Sequence, residues 1–226
     1  LPLFDTLRGV AMILMATYHF CFDLNNFGVL HENMYQDEFW LNFRAVIMSS
    51  FMGLVGVGLY LGAANYSKKT FWTRLARVAA CAAIVSVATY FQFGERWTFF
   101  GVLHFVVVAT LLGPLLIRWP IATALGGIAL VVLPLYYRSL FFLRPLWILT
   151  GLSPVKPQTE DFSPLAPWLG VVMLGVFVGW IAKKWLARHA VHEIPLLSRL
   201  GHHSLVFYMT HQLVLFPLAW AISRMF

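Results

Sequence analysis

The sequence predicts an all-α, polytopic membrane helix bundle of about seven transmembrane helices. Three observations carry that prediction. Hydrophobic residues make up 60% of the 226 positions and charged residues 11%, where a soluble domain carries about 25% charged residues. Apolar runs of about 20 residues, the length that crosses a bilayer, recur along the chain. Lys and Arg gather in alternate loops, as the positive-inside bias requires. The length fits one domain, taken as residues 1–226, with its core packed inside lipid.

The spans follow from the apolar runs: 6–26, 41–64, 72–93, 98–117, 119–137, 164–186 and 203–224. The first is not a signal peptide. It lacks a basic start and a small-residue cleavage site, and it carries His19 and Asp23. The chain opens Leu-Pro rather than Met, which predicts that residues precede it. Residues 139–151 are too short to span and are broken by Arg144-Pro145, so an interfacial or re-entrant segment is expected. The loop 152–163 holds Pro154, Pro157, Glu160 and Asp161 and is expected in water. Cys21 and Cys81 lie in apolar runs, which argues against a disulfide framework.

Loop charge sets orientation. Lys68, Lys69, Arg74, Arg77, Lys183, Lys184, Arg188 and Arg199 mark one side, while Asp23, Glu32, Asp37 and Glu38 mark the loop 21–40. The basic side is cytoplasmic, so the N-terminus is inside and the C-terminus outside, in a plasma (inner) membrane. The net charge of +7 then reflects topology and lipid contact rather than nucleic acid. A homodimer stays open. Gly53, Gly56 and Gly58 in span two, and Gly170, Gly175 and Gly179 in span six, permit close helix approach.

Span one concentrates the polar residues. Asp5, Arg8, His19 and Asp23 fall on one stripe of a helix turning about 100° per residue. Ionisable groups are expensive inside a membrane and usually carry function there. His19 and Asp23 have the spacing of a carboxylate-oriented base, or of interhelical polar glue. His31 follows in the acidic loop. His104 lies in span four. Ser204, Tyr208 and His211 share one face of span seven at i, i+4 and i+7. Arg44 either snorkels or pairs with a nearby carboxylate. His189, His192, His202 and His203 belong to the inner loop and are expected to be solvated. No HExxH or CxxC spacing points to a metal. Asp5–Arg8 reads either as a helix-start ion pair or as part of a phosphate site, since the Arg fork matches phosphate oxygens.

In order along the chain stand Asp5-Thr6-Leu7-Arg8-Gly9 with Met12, Met15, His19-Phe20 and Asp23; then Phe100-Gly101-Val102-Leu103-His104-Phe105; then Pro164 and Pro167-Trp168-Leu169-Gly170; then Leu200-Gly201-His202-His203-Ser204-Leu205, Tyr208 and His211-Gln212. This ordered set resembles the transmembrane acyltransferases typified by heparan-alpha-glucosaminide N-acetyltransferase. The resemblance implies a transmembrane acyltransferase-like domain that moves acetyl from cytoplasmic acetyl-CoA to a sugar amine or hydroxyl on the far side. By position it implies that His31, with a one-residue slip, matches the family's catalytic His, and that His19 stands where the family has an Asn. The acceptor, a glycan or a small molecule, does not carry over.

The expected machinery is therefore His31 first and His19 second as an outward-facing base, with Asp23 orienting His19. Asp5, Arg8, Lys68, Lys69, Arg74 and Arg77 would hold the acetyl-CoA phosphates. Arg44, His104, Tyr208 and His211 would line the path. A proton-coupled transporter would use intramembrane Asp and His as well, but no inverted repeat or interrupted helix pair is visible.

Overall fold

The computed structural model describes residues 2–63, 67–189 and 194–225. Among them lie eight α-helices: α1 (Pro2–Asn26), α2 (Glu38–Gly62), α3 (Lys68–Phe93), α4 (Val102–Leu116), α5 (Pro120–Tyr136), α6 (Leu165–Leu186), α7 (Pro195–His202) and α8 (Ser204–Ser223). The β-pairing among the described residues is an isolated Phe100–Phe162 bridge. Five helices, α1, α2, α3, α6 and α8, are long and apolar enough to cross a membrane, as befits an integral membrane protein.

The helices α4 and α5 are shorter than the spans expected at 98–117 and 119–137. At 15 and 17 residues they reach about 22 and 25 Å, against a hydrocarbon core of about 30 Å. Residues 97–101 are lost to α4 because they run beside the loop 159–163 instead. Glu160 N–H donates to Arg96 C=O, Ser163 N–H to Phe100 C=O, and the Thr159 hydroxyl to Trp97 C=O at 2.6 Å. That zipper also corrects the expectation that 152–163 lies wholly in water: Ser163 is fully buried. Residues 139–151 form two short 3₁₀ turns, Leu140–Leu143 and Trp147–Thr150, with Leu140 and Leu146 exposed and Arg144 over the Phe141 ring. An eight-residue helix, α7, stands where part of the basic inner loop was expected. Pro195 starts it, a position where a missing N–H costs nothing.

Contacts divide the chain into two compact units, Leu1–Phe51 with His189–Phe226, and Met52–Arg188. In the first unit α7 crosses the start of α1 at backbone distance. A Cβ on Gly9 would strike the Leu197 carbonyl, and one on Gly201 would strike the Asp5 carbonyl. Thr6 adds its hydroxyl as acceptor for the Ile194 N–H. Further along, Met12, Met15 and Ile47 are buried against Tyr18, Phe43 and Phe207. Asp23 then meets Gln212. Phe27, just past the end of α1, meets Phe216, each four residues further along the chain. So α1 and α8 run parallel. If both cross the membrane, the number of crossings is odd, which five and seven satisfy and six does not.

In the second unit the close helix approach expected of the α2 and α6 glycines brings α2 to α6, while Gly170 of α6 meets Gly127 of α5 instead. A Cβ on Gly56 would strike the Val172 carbonyl, and one on Gly175 the Gly53 carbonyl. The missing side chains of Gly56 and Gly175 let the two backbones touch, the usual source of adhesion between helices in lipid. The kink at Ala166 in α6 has a local cause. The residue before Pro167 is driven out of the helical region, and Ala166 sits at φ −95°, ψ 131°. Helix α3 begins at Ser67, whose hydroxyl accepts from Thr70 N–H, and ends at Gly94 with φ 60°. Its outward Ile84, Val87 and Phe91 suit a lipid-facing surface.

Candidate active site

The first unit gathers a buried polar cluster on the seam between α1 and α8. The His19 and His211 rings meet at 5.1 Å between centroids, 67° apart. His211 Nδ1 lies 2.7 Å from the Tyr208 carbonyl. A carbonyl only accepts, so Nδ1 carries the proton and, in the neutral ring, Nε2 holds a lone pair. Phe207 stacks on the ring at 15° and fixes its plane. His211 is 9% exposed, and its Nε2 is buried with no partner among the described residues.

One helical turn from His19, Asp23 is 3% exposed and accepts a hydrogen bond from the Gln212 side chain. Its Oδ2, and the Gln212 Oε1, are buried without partners among the described residues. The expected Asp23–His19 pairing is thus not what forms. The Gln212 amide, delivered by α8, takes the carboxylate instead, while the contact partners of His19 are the rings of Tyr18 and His211. Gln212 shares the Tyr208 face at i+4, so its position was readable from the sequence, though its role was not.

The other expected residues divide between the units. His31 is exposed in the loop between α1 and α2. Arg44, half-buried, hydrogen-bonds Tyr18 rather than Asp23 or Glu38. Asp5 and Arg8 form an ion pair at 2.5 Å through Arg8 Nη1, at the end of α1 held by α7. His202 and His203 are exposed, as expected. His203 Nδ1 donates to the Arg199 carbonyl. His189 is exposed as well, and His192 lies outside the described residues. In the second unit Lys68, Lys69, Arg74 and Arg77 are exposed along the first three turns of α3. Cations at a helix N-terminus oppose the helix dipole.

His104 has a complete local account. Its Nδ1 accepts from Gly101 N–H at 3.3 Å, so its Nε2 carries the proton toward Ser86 Oγ at 3.1 Å. Ser86 in turn donates to the Thr98 carbonyl at 2.6 Å. With both nitrogens engaged, His104 ties α3 to the start of α4 within the second unit. It does not make Ser86 a nucleophile, since the nitrogen facing the hydroxyl is a donor.

Asp161 completes that corner, and sequence reasoning assigned it only to a solvated loop. Its Oδ2 accepts from Val102 N–H at 2.8 Å, and a Cβ on Gly101 would collide with it. Burial pushes the Asp161 carboxyl up from its ordinary 3.8, against the Val102 N–H, Lys156 and Ser163, which pull it down. A raised folded-state value favours the protonated form. The stability it contributes is present below about pH 4 and is lost as pH rises through the folded value. Asp161→Asn keeps an acceptor for Val102 without the charge. Thermal melts in detergent should therefore show the wild type losing stability relative to Asp161→Asn as pH rises above about 4. A difference that does not change with pH would contradict this.

The catalytic-domain model of heparan-alpha-glucosaminide N-acetyltransferase matches residues 1–213. The chain belongs to that family. No curated protein and no solved structure matches it. Membership in the heparan-alpha-glucosaminide N-acetyltransferase family carries transferase activity. It lends no support to the transporter reading. The matched stretch ends at residue 213, just beyond His211 and Gln212, so the whole polar cluster on α1 and α8 lies inside it.

Proposed function

We propose that the protein is a membrane-embedded acetyltransferase. It moves acetyl from cytoplasmic acetyl-CoA to an extracytoplasmic sugar amine or hydroxyl. The observation that supports this most is the buried, unpartnered Nε2 of His211 beside His19, in a chain of an acetyltransferase family. A neutral imidazole with a fixed tautomer is what a general base requires. Nε2 takes the proton from the acceptor as its nitrogen or oxygen bonds the acetyl carbon; the thioester C–S bond breaks, the CoA sulfur leaves with the electron pair, and the imidazolium then gives up its proton so that CoA departs as the thiol. The Tyr208 carbonyl holds the imidazolium by accepting from Nδ1. His19 packs against the ring edge. His31, which the family resemblance favours, remains a base to be tested in parallel.

At the opposite end of α1, Arg8 is offered for the phosphates of acetyl-CoA. Its Nη1 is bound to Asp5, which orients the guanidinium. Lys68, Lys69, Arg74 and Arg77 are the candidates on α3. Purified protein in detergent should bind acetyl-CoA and slowly consume it. Arg8→Ala should weaken that binding by roughly 1.5–3 kcal/mol, the size of a charge-assisted hydrogen bond, and Lys184→Ala far less. Equal effects of the two substitutions would return Arg8 to a topological role.

The reading places the N-terminus and the basic segments in the cytoplasm, with seven crossings if α4 and α5 both traverse. Single cysteines at positions 36 and 68 should react with an impermeant thiol reagent from opposite sides. Labelling of both from one side would refute the orientation.

A further inference from the structure

Residues 139–151 are ordered without being packed. The loop closes at its base, where Ser139 N–H donates to the Leu152 carbonyl at 3.0 Å. Gly151 seats that base on the first turn of α6. Its φ is 82°, and a Cβ there would strike the Ala166 carbonyl. Within the loop Phe141, Phe142 and Trp147 form a three-ring cluster with centroids 5.2–6.1 Å apart. Tyr137 joins it from the end of α5 at 6.2 Å. This scaffold displays apolar surface instead of burying it. Tyr136, Leu140 and Leu146 are 86%, 69% and 80% exposed. Leu146 sits at φ 68°, ψ −40°, a region that bulky residues enter rarely and at a cost. Two cations accompany the patch. Arg144 Cζ lies 4.8 Å from the Phe141 ring centre. Arg138 Nε donates to the Pro134 carbonyl at 2.9 Å, capping the end of α5. Both arginines are exposed, and neither meets a carboxylate among the described residues. These contacts use one face of Arg144 and one N–H of Arg138, so each guanidinium keeps outer donors for an anion.

We propose that this loop is an interfacial anchor that docks in the headgroup layer and binds the phosphate of an anionic phospholipid through Arg144 and Arg138. The inference is independent of the acetyltransferase reading. The position favours lipid: α6, which holds the base of the loop, is long and apolar enough to cross the membrane, and the end of a spanning helix lies at the headgroups. The composition favours it too, because aromatic rings settle at that level and arginines there meet anionic lipid. A free phosphate would answer the arginines and leave Leu140 and Leu146 in water. A second copy of the same patch would set arginine against arginine, since residues 137–151 contain no Asp or Glu. One anionic lipid satisfies both demands, the head meeting the guanidinium forks and the tails covering the leucines.

Native mass spectrometry of the detergent-purified chain, offered equal amounts of phosphatidylglycerol and phosphatidylcholine with matched tails, tests the headgroup. The wild type should retain phosphatidylglycerol in clear preference. Arg144→Gln and Arg138→Gln should each lower that preference about five-fold, the weight of one arginine beside an anionic surface. Equal retention of the two lipids, or a preference that both variants keep in full, would overturn the assignment. Excess glycerol 3-phosphate should leave the lipid in place. Its displacing the lipid would make this a site for a free phosphate and overturn the docking. The apolar tip is tested in bilayers containing phosphatidylglycerol, with a nitroxide on Leu146→Cys in a chain carrying Cys21→Ala and Cys81→Ala. Dissolved oxygen should reach the label better than a water-soluble nickel chelate does. Better access for the chelate would place the tip in water, and access for neither would place it beneath a protein partner. Either result would overturn the anchor.

Discussion

His211→Ala should reduce acetyl transfer by about 10²–10⁴ while leaving acetyl-CoA bound, the usual cost of removing a general base. The reasoning begins with the Tyr208 carbonyl, which fixes the proton on Nδ1 and leaves a buried lone pair on Nε2. His19→Ala should lose a smaller factor, since its ring packs on His211 without holding either nitrogen. His211→Gln separates the chemistry from the packing. Gln restores the bond to Tyr208 but cannot cycle a proton, so it should fold and remain inactive. Each variant needs two readouts, labelled acetyl appearing on an acceptor and acetyl-CoA binding. A large loss confined to His31→Ala, with His211→Ala near normal, would move the base to the loop and end the present assignment.

Gly201→Ala should destabilise the first unit by about 1–3 kcal/mol or more, the range for forcing extra atoms into a packed contact. The added methyl meets the Asp5 carbonyl and the Gly9 amide nitrogen. These are backbone atoms and cannot swing aside as a side-chain tip does. Gly9→Ala should do the same against the Leu197 carbonyl. Gly53→Ala provides the contrast, because a Cβ there meets nothing within 4 Å, and Ala is the better helix former. The comparison is of melting temperatures in detergent at matched lipid content. Similar melting temperatures for all three variants and the wild type would show that α1 and α7 do not depend on this contact.

The helices were legible because composition and span length decide them almost alone. All five long helices match expected spans to within a few residues, and Gly56 and Gly175 do sit at close helix approaches. What stayed hidden was set by long-range contacts. Nothing local announces that 159–163 would zip against 96–101 and trim α4, or that Pro195 would open a separate helix. The site was half-visible. His19, Asp23 and His211 were singled out as polar residues in apolar helices, and they do gather on one seam. Their partners were mis-paired because i, i+4 spacing on α1 says nothing about what α8 delivers. Gln212, an uncharged neighbour of a histidine, carried no signal of its own. Gly9 and Gly201 were noticed only as parts of recognisable motifs, while their role needed the crossing of α1 with α7.

The parallel pairing of α1 and α8 has a consequence for biosynthesis. His19 and Asp23 enter the membrane with the first helix, yet Gln212 and His211 are made about 190 residues later. At ribosomal speeds of about 5–20 residues per second that leaves roughly 10–40 s in which a carboxylate and an imidazole sit in a nascent helix without their neighbours. An insertion machinery or chaperone that shelters polar helices would have to hold α1 through that interval. A ribosome that stalls before residue 212 would release a chain whose polar face is uncovered, a ready mark for membrane proteolysis. Helix α8 thus acts as a latch, and a complete site is itself a certificate that translation has reached α8.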